Sequence, residues 1–385
     1  KYAEQNNFME LKTPIFEFTN LFSKPLGEQS DVVLKEMYSF KDRNEEMLTL
    51  RPEYTTPMIR AAITNNLLND LPLKVFGIGP MFRRERPQKG RYRQFNQINF
   101  EVFGSNEPIV DLEIIILADE ILKSIIPKSK YILHINSLGN RDDLIRYKKN
   151  LTSYFNQKKS DLSEDSRNKI NTNSLRILDS KIETDVLISK NAPSIQEYIS
   201  DQSKLHFEEI KKGLDFYNVN YIENNNLVRG LDYYCSTVFE FKTNELGSQD
   251  TILGGGRYDG LINTLGGPDI PGIGWAAGIE RISMLMESTN KISTHVHLAI
   301  NDEKFKSHLL KIIKYLKVNN ISYYWNYKYN LKKSLSKANL KSADYVIIIG
   351  ENEFNKDYFT IKNLKSGIQT ELNINKVKDY LNDKS

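Results

Sequence analysis

The chain has 385 residues, 39% hydrophobic and 26% charged, with a formal net charge of +4. At roughly 150 residues per domain this is the composition of a soluble globular protein of two or three domains. A single cysteine, Cys235, excludes an intrachain disulfide and fits a reducing, cytoplasmic setting, and no apolar run approaches the ~18 residues of a membrane span. The small net charge does not by itself imply nucleic acid; only local clustering would. The chain opens at Lys1, and no signal-peptide pattern follows.

Residues 1–22 read as the end of a helix and then a strand around Leu11–Phe18. Pro14, preceded by Thr13, fits an edge or an interrupted strand. MYSFKDRNEEMLTLRPEYTTPMIRAAI gives a hairpin turning at DRNEE and then a helix, with Thr55 or Thr56 ahead of Pro57 as its cap. Glu53 stands beside Pro52 at a strand end, where binding groups collect. The stretch from Gly79 to Gly104 is strand, turn and strand, with Pro87 and Gly90 at the tip. It sets Arg83, Arg84, Arg86, Lys89, Arg91 and Arg93 against one carboxylate, Glu85. Like charges this close repel, so an anion is the expected occupant; a solubilising loop is the plain alternative. Arginine predominates, and its planar fork suits phosphate better than lysine does.

A helix at Val110–Ile126 and a strand at Tyr131–Asn136 follow. From about Asp142 to Tyr217 the chain is polar and helical in period, and it interrupts a sheet whose remaining strands come later. LVRGLDYYCSTVFEF, residues 227–241, then places Arg229 at the start of a β-prone run. A buried arginine needs a partner, either Asp232 or a phosphate. In LGGGRYDGLINTLGG, residues 253–267, the glycines allow close backbone approach, and Tyr258 either contacts a ligand or packs. GIGWAAGIERISMLME, residues 272–287, is a small-residue strand feeding a helix; Arg281 pairs with Glu280, snorkels, or meets a ligand. From about Ser293, strands and helices alternate as in a small α/β domain, where Lys333, Lys337 and Lys341 share one helical face opposite Leu331, Leu335 and Ala338.

These motifs carry a resemblance. GPMFRRE with QFNQINFEVFG resembles the second signature of class II aminoacyl-tRNA synthetases, LKTPIFEFTNLF the end of the first, and GIGWAAGIERISMLME the third. RPQKGRYRQF, LVRGLDYY and LGGGRYDG resemble wording particular to histidyl-tRNA synthetases, and TNSLRILDSK resembles family wording with no chemistry attached. The resemblance spans nearly the whole chain and implies an α+β fold: an antiparallel-sheet catalytic core with a helical insertion, plus a small α/β C-terminal domain. The corresponding boundaries are 1–141 and 218–290 for the core, 142–217 for the insertion and 293–385 for an anticodon-binding domain. A further helix and an Arg-Gly strand are expected ahead of Lys1.

The implied activity is histidine–tRNA ligation, in which histidine and ATP give histidyl-adenylate and the histidyl group then passes to tRNA(His). By resemblance, Arg83 and Arg229 hold the α-phosphate, Arg281 the γ-phosphate, and Phe95 stacks on adenine beside Glu85. Glu53, Thr55, Gln97, Glu101, Arg229, Tyr233 and Tyr234 enclose histidine, while Gln88 and Arg93 meet the tRNA. Mg²⁺ is expected with ATP and no metal cluster of the protein's own; a homodimer is expected through the first motif. The competing readings are a non-catalytic paralogue, acting as a histidine-sensing regulatory or RNA-binding subunit, and a plain nucleic-acid-binding protein.

Overall fold

A computed structural model describes residues 1–27, 30–127, 130–247, 250–287 and 295–382. Strands β1 (Met9–Glu10), β2 (Phe16–Phe18), β3 (Tyr38–Lys41) and β4 (Met47–Leu50) lead to helix α1 (Thr55–Thr64). The long hairpin β5 (Leu73–Phe82) and β6 (Gln94–Phe103) precedes α2 (Pro108–Ile125) and β7 (Ile132–Ser137). Helices α3 (Arg141–Gln157), α4 (Glu164–Asn173), α5 (Glu183–Ser189) and α6 (Asp201–Phe216) come next. Then follow β8 (Tyr221–Glu223), β9 (Cys235–Lys242), β10 (Thr251–Arg257), β11 (Gly272–Gly278) and α7 (Ile279–Leu285). The chain divides into two compact units, Lys1–Glu287 and Ser288–Ser385.

The first unit is built on an eight-stranded sheet in the order β1-β5-β6-β11-β10-β9-β7-β8. It is antiparallel from β5 to β7, with β1 and β8 added in parallel at its edges. Side chains alternate across it. On β6, Phe100 and Val102 join Leu112, Ile115 and Leu122 of α2 and Phe207, Ile210 and Leu214 of α6 in one core. Gln97, Asn99 and Glu101, the intervening residues, face the other way and become the floor of a cavity. Helix α6 thus packs in the sheet's own core, although it falls within the helical stretch 142–217. The start of α3 is fixed by a capping box between Asn140 and Asp143. Its Tyr147, Leu151 and Phe155 share a second core with Leu175 and Ile177, and with Leu227, Val228 and Tyr234.

Of the strand expected over Leu11–Phe18 only β2 forms, in a small sheet ordered β2-β4-β3; β1, just ahead of Leu11, lies on the large sheet. Pro14 has no N–H for a ladder, and Arg51 takes the carbonyls of Thr13 and Pro14 at 2.9 and 3.3 Å, so the backbone between the strands is bonded elsewhere.

In the second unit β12 (Val296–Ile300), β13 (Tyr323–Tyr329), β14 (Tyr345–Ile349), β15 (Phe359–Asn363) and β16 (Gln369–Leu372) form a sheet ordered β13-β12-β14-β15-β16. Helices α8 (Lys306–Val318) and α9 (Leu331–Leu340) belong to separate apolar clusters of this unit. Leu331, Leu335 and Ala338 of α9 pack inward, and Lys333, Lys337 and Lys341 are exposed, as their spacing predicts. The boundary expected near Ser293 lies outside the described residues.

Candidate active site

The small residues of β11 leave room above the sheet. There an open cavity of ≈ 180 Å³ is lined by Glu53, Thr55, Arg83, Glu85, Phe95, Gln97, Arg229, Tyr233, Tyr234 and Arg281, residues drawn from four separate sequence motifs. Asn99 lines it too; the sequence reading missed it, although it sits between Gln97 and Glu101 in the same alternation. Glu101 lies just below the lining, only 1% exposed. Gln88 is exposed and borders a neighbouring cavity with Lys181 and Asp250, while Arg93 is exposed on the hairpin, its Nε donating to the Glu85 carbonyl at 3.3 Å.

The floor is acidic and hydroxyl-rich. Glu53 accepts from the backbone N–H groups of Thr55 and Thr56 at 2.8 and 2.9 Å and from the Thr56 hydroxyl. The N-cap position of α1 is Tyr54, and the carboxyl that takes the helix's first N–H groups is Glu53 one residue before it; neither expected threonine plays that part. The Thr55 hydroxyl instead donates to Glu101 at 2.7 Å, and the Tyr258 hydroxyl donates to the other oxygen of the same carboxylate. Tyr258 thus holds the floor from below; its ring stands 5.7 Å from Tyr233 and 6.4 Å from Tyr234. Gln97 Oε1, Asn99 Oδ1 and Arg229 Nε are buried with no hydrogen-bond partner among the described residues, and such groups cost free energy until a ligand meets them.

Burial pushes the Glu101 carboxyl up to about 8, with the charge of nearby Glu53 adding to it and the bonds from Tyr258 and Thr55 opposing. Folding thus makes this acid hold its proton more tightly than the ordinary 4.5. Its contribution to stability is complete below pH 4.5 and is lost as pH rises through about 8. The melting temperature of the ligand-free chain should decline across that window, and Glu101→Gln should flatten the decline. Parallel melting-temperature curves for the two proteins would refute the assignment.

Arginines form the walls. Arg83 donates from Nε to the Pro52 carbonyl at 2.8 Å and lies 5.5 Å from the Phe95 ring. Arg281 donates to the carbonyls of Gly90 and Thr251 at 2.8 and 2.7 Å. Glu280, the partner considered for it, instead accepts from the backbone and side chain of Asn96 on β6. Arg229 pairs with Glu240 on β9, not with Asp232; Glu240 also accepts from the Thr251 hydroxyl at 2.9 Å and lies 3.1 Å from Lys242. A methyl group on Gly254 would fall 2.5–2.7 Å from the Arg229 guanidinium, so this glycine is a seat for the arginine. Arg91 pairs with Glu85 and with Glu36, 3.5 Å away, which brings the basic hairpin back over the cavity.

The family model described as histidyl-tRNA synthetase matches residues 1–282, and that described as anticodon binding domain matches residues 293–384. The histidine–tRNA ligase of Ehrlichia ruminantium (strain Gardel) is 46% identical over 369 residues, 95% of this chain and 88% of that protein. That of Rickettsia bellii (strain RML369-C) is 43% identical over 380 residues, 98% and 92% of the two. The crystal structure of the apo Staphylococcus aureus histidyl-tRNA synthetase superposes with a TM-score of 0.74 at 29% identity, covering 99% of this chain and 92% of that one. Motifs, sheet order and likeness along nearly the full length agree: the chain belongs to the histidyl-tRNA synthetase family, within the class II aminoacyl-tRNA ligases.

Proposed function

We propose that the cavity joins histidine to ATP as histidyl-adenylate, with release of pyrophosphate, and that the histidyl group then passes to a terminal ribose hydroxyl of tRNA(His) with release of AMP. One observation carries this reading: a single cavity has a carboxylate floor at Glu53 and Glu101 and arginine walls at Arg83, Arg229 and Arg281. Carboxylates suit a ligand whose ammonium and imidazole both donate protons, a cation arriving beside Glu101 would favour release of the proton that burial makes it hold, and guanidinium groups suit a polyphosphate. The histidine carboxylate attacks the α-phosphorus, and the α–β bridging oxygen leaves with pyrophosphate. Arg83 and Arg229 stabilise the charge that builds on the α-phosphate, Arg281 holds the γ-phosphate, and Phe95 stacks on the adenine beside Glu85. Glu53, Thr55, Gln97, Glu101, Tyr233 and Tyr234 hold histidine. ATP–pyrophosphate exchange tested with each amino acid should respond to histidine alone; exchange with none, or with another amino acid, overturns the proposal.

Mg²⁺ would enter as the companion of ATP. Among the described residues no group of three or more His, Cys, Asp or Glu side chains is gathered as metal ligands, and no step is assigned to an ion held by the protein. Gln88 and Arg93 would meet the acceptor end of the tRNA, a reading supported by their exposure on the hairpin. A homodimer is supported by Phe16, Phe18, Phe40 and Met47, which are 44–52% exposed on the small sheet. An apolar patch of this kind marks a surface that another chain covers. No helix among the described residues is long and apolar enough to cross a membrane.

The second unit serves the tRNA in this reading. Each unit has apolar clusters of its own. A truncation ending at Glu287 should therefore keep histidine-dependent exchange while transfer to tRNA falls at least tenfold, on the order of 1.4 kcal/mol or more of lost tRNA binding. Equal loss of both steps in a folded truncation would refute the division.

A further inference from the structure

The motif TNSLRILDSK, residues 172–181, is left without a task by the proposed chemistry, yet it reaches the loop that carries Arg229. Its apolar residues Leu175, Ile177 and Leu178 are buried in the second core, which fixes the segment beside Val228 and Tyr234. Two of its polar residues, Asn173 and Arg176, point at the loop. Asn173 Nδ2 donates to Asp232 Oδ1 at 2.6 Å, and Arg176 Nη1 donates to the Gly230 carbonyl at 2.7 Å. Arg176 Nη2 also lies 3.6 Å from Asp31. Asp31 belongs to the stretch whose Phe22, Leu26 and Val32 pack against Leu231 and Tyr233 of the same loop.

The loop needs this support. Beyond a turn at Asp232–Tyr233, no backbone-to-backbone hydrogen bond among the described residues ties residues 228–234, which lie between β8 and the start of β9, to the rest of the fold. Side chains therefore set the path of the backbone beneath Arg229, and one of them is the Arg176 clamp on the very next carbonyl. A guanidinium on a long, flexible stem is only as well placed as its Cα, and Arg229 has little tolerance: it must reach Glu240 while resting on Gly254.

We propose that Arg176 is a positioning residue for Arg229: with Asn173 it clamps the 229–232 loop from the helical insertion, so that the Arg229 fork is held where the α-phosphate is attacked. This rests on the role given to Arg229 above. It also gives the insertion a direct mechanical link to the amino-acid activation step.

The test uses the full-length chain, with Arg176→Ala, Arg176→Lys, Asn173→Ala, Arg229→Ala and the Arg176→Ala/Arg229→Ala double variant. Single-turnover adenylate formation, histidine and ATP affinity, and melting temperature are measured on each. Arg176→Ala should slow adenylate formation by roughly 10- to 100-fold, the scale expected of a ~1 Å misplacement, and should change either affinity by less than about threefold. Arg176→Lys should recover part of the rate, because an ammonium can still donate to the Gly230 carbonyl. The double variant should be no slower than Arg229→Ala alone, since a residue acting through another adds nothing once that other is gone. Multiplying effects, or a lowered melting temperature with an unchanged rate, would overturn the inference. If Arg176→Ala does not fold, Arg176→Lys and Asn173→Ala decide by the same rate criterion. A fall with Arg229→Ala but none with the Arg176 and Asn173 variants overturns this inference alone. An unchanged rate in Arg229→Ala removes the reading beneath it, and the inference with it.

Discussion

Arg229→Ala should lower the single-turnover rate of adenylate formation by ~10²–10³, about 3–4 kcal/mol of transition-state stabilisation. In the proposed reaction the attacked α-phosphate becomes more crowded and more negative, and a guanidinium already held in place would meet that charge without reorganising. The structure gives the aiming device: the Arg229 fork lies over Gly254 and against Glu240. Removing the arginine does not orphan Glu240, which keeps the Thr251 hydroxyl at 2.9 Å and Lys242 at 3.1 Å. Loss of stability should therefore be small beside loss of rate. Arg229→Lys keeps the charge but not the planar fork and should recover only part of the activity. Rapid-quench measurement of the adenylate, alongside thermal melts, separates the two effects. An early-melting protein that activates histidine at the normal rate would show that Arg229 only holds the fold.

Gly274→Ala should damage the end of the same cavity that is proposed to hold histidine. A Cβ at this position would stand 1.6 Å from Glu101 Oε2 and 2.5 Å from the Phe100 carbonyl oxygen. Strand β11 is paired on both sides, with β6 and with β10, so the backbone has little room to retreat. Glu101 has to leave Thr55 or Tyr258, which adds roughly 1–3 kcal/mol of unsatisfied polar burial to roughly 1–3 kcal/mol of overpacking. The Michaelis constant for histidine should rise about tenfold or more, that for ATP much less, with a lower melting temperature. Equal effects on both substrates would mean that the glycine supports the sheet as a whole and not the amino-acid pocket.

The parts of the fold legible in the sequence are those in which neighbours along the chain decide the outcome. The hairpin β5–β6 follows from two alternating runs around Pro87 and Gly90, and α9 matches its apolar spacing residue for residue. The cavity residues come from short motifs whose wording survives intact, so Glu53, Arg83, Arg229 and Arg281 could each be named alone. What stayed hidden is pairing across the chain. Arg257 is 1% exposed and bonded to Asp111, 146 residues away, and Tyr258 reaches Glu101 across 157. Asn96 meets Glu280 across 184. No local period encodes such separations. The same limit makes Asp232 the partner that the sequence suggests for Arg229: it is close in sequence, whereas Glu240 is brought near by a strand. Asn99 was within reach, since it occupies the one position between two residues already assigned to the floor.

Arg83 and Arg281 are both aimed by backbone carbonyls. A peptide carbonyl is a dipole that never titrates, so these bonds persist at any pH the fold survives. The amino-acid floor differs, because the carboxyl of Glu101, raised to about 8, changes charge in that same range. In the proposed function, one cavity thus joins a pH-blind nucleotide end to a pH-responsive amino-acid end. Alkalinity would tune how histidine is received while leaving the orientation of the nucleotide arginines untouched.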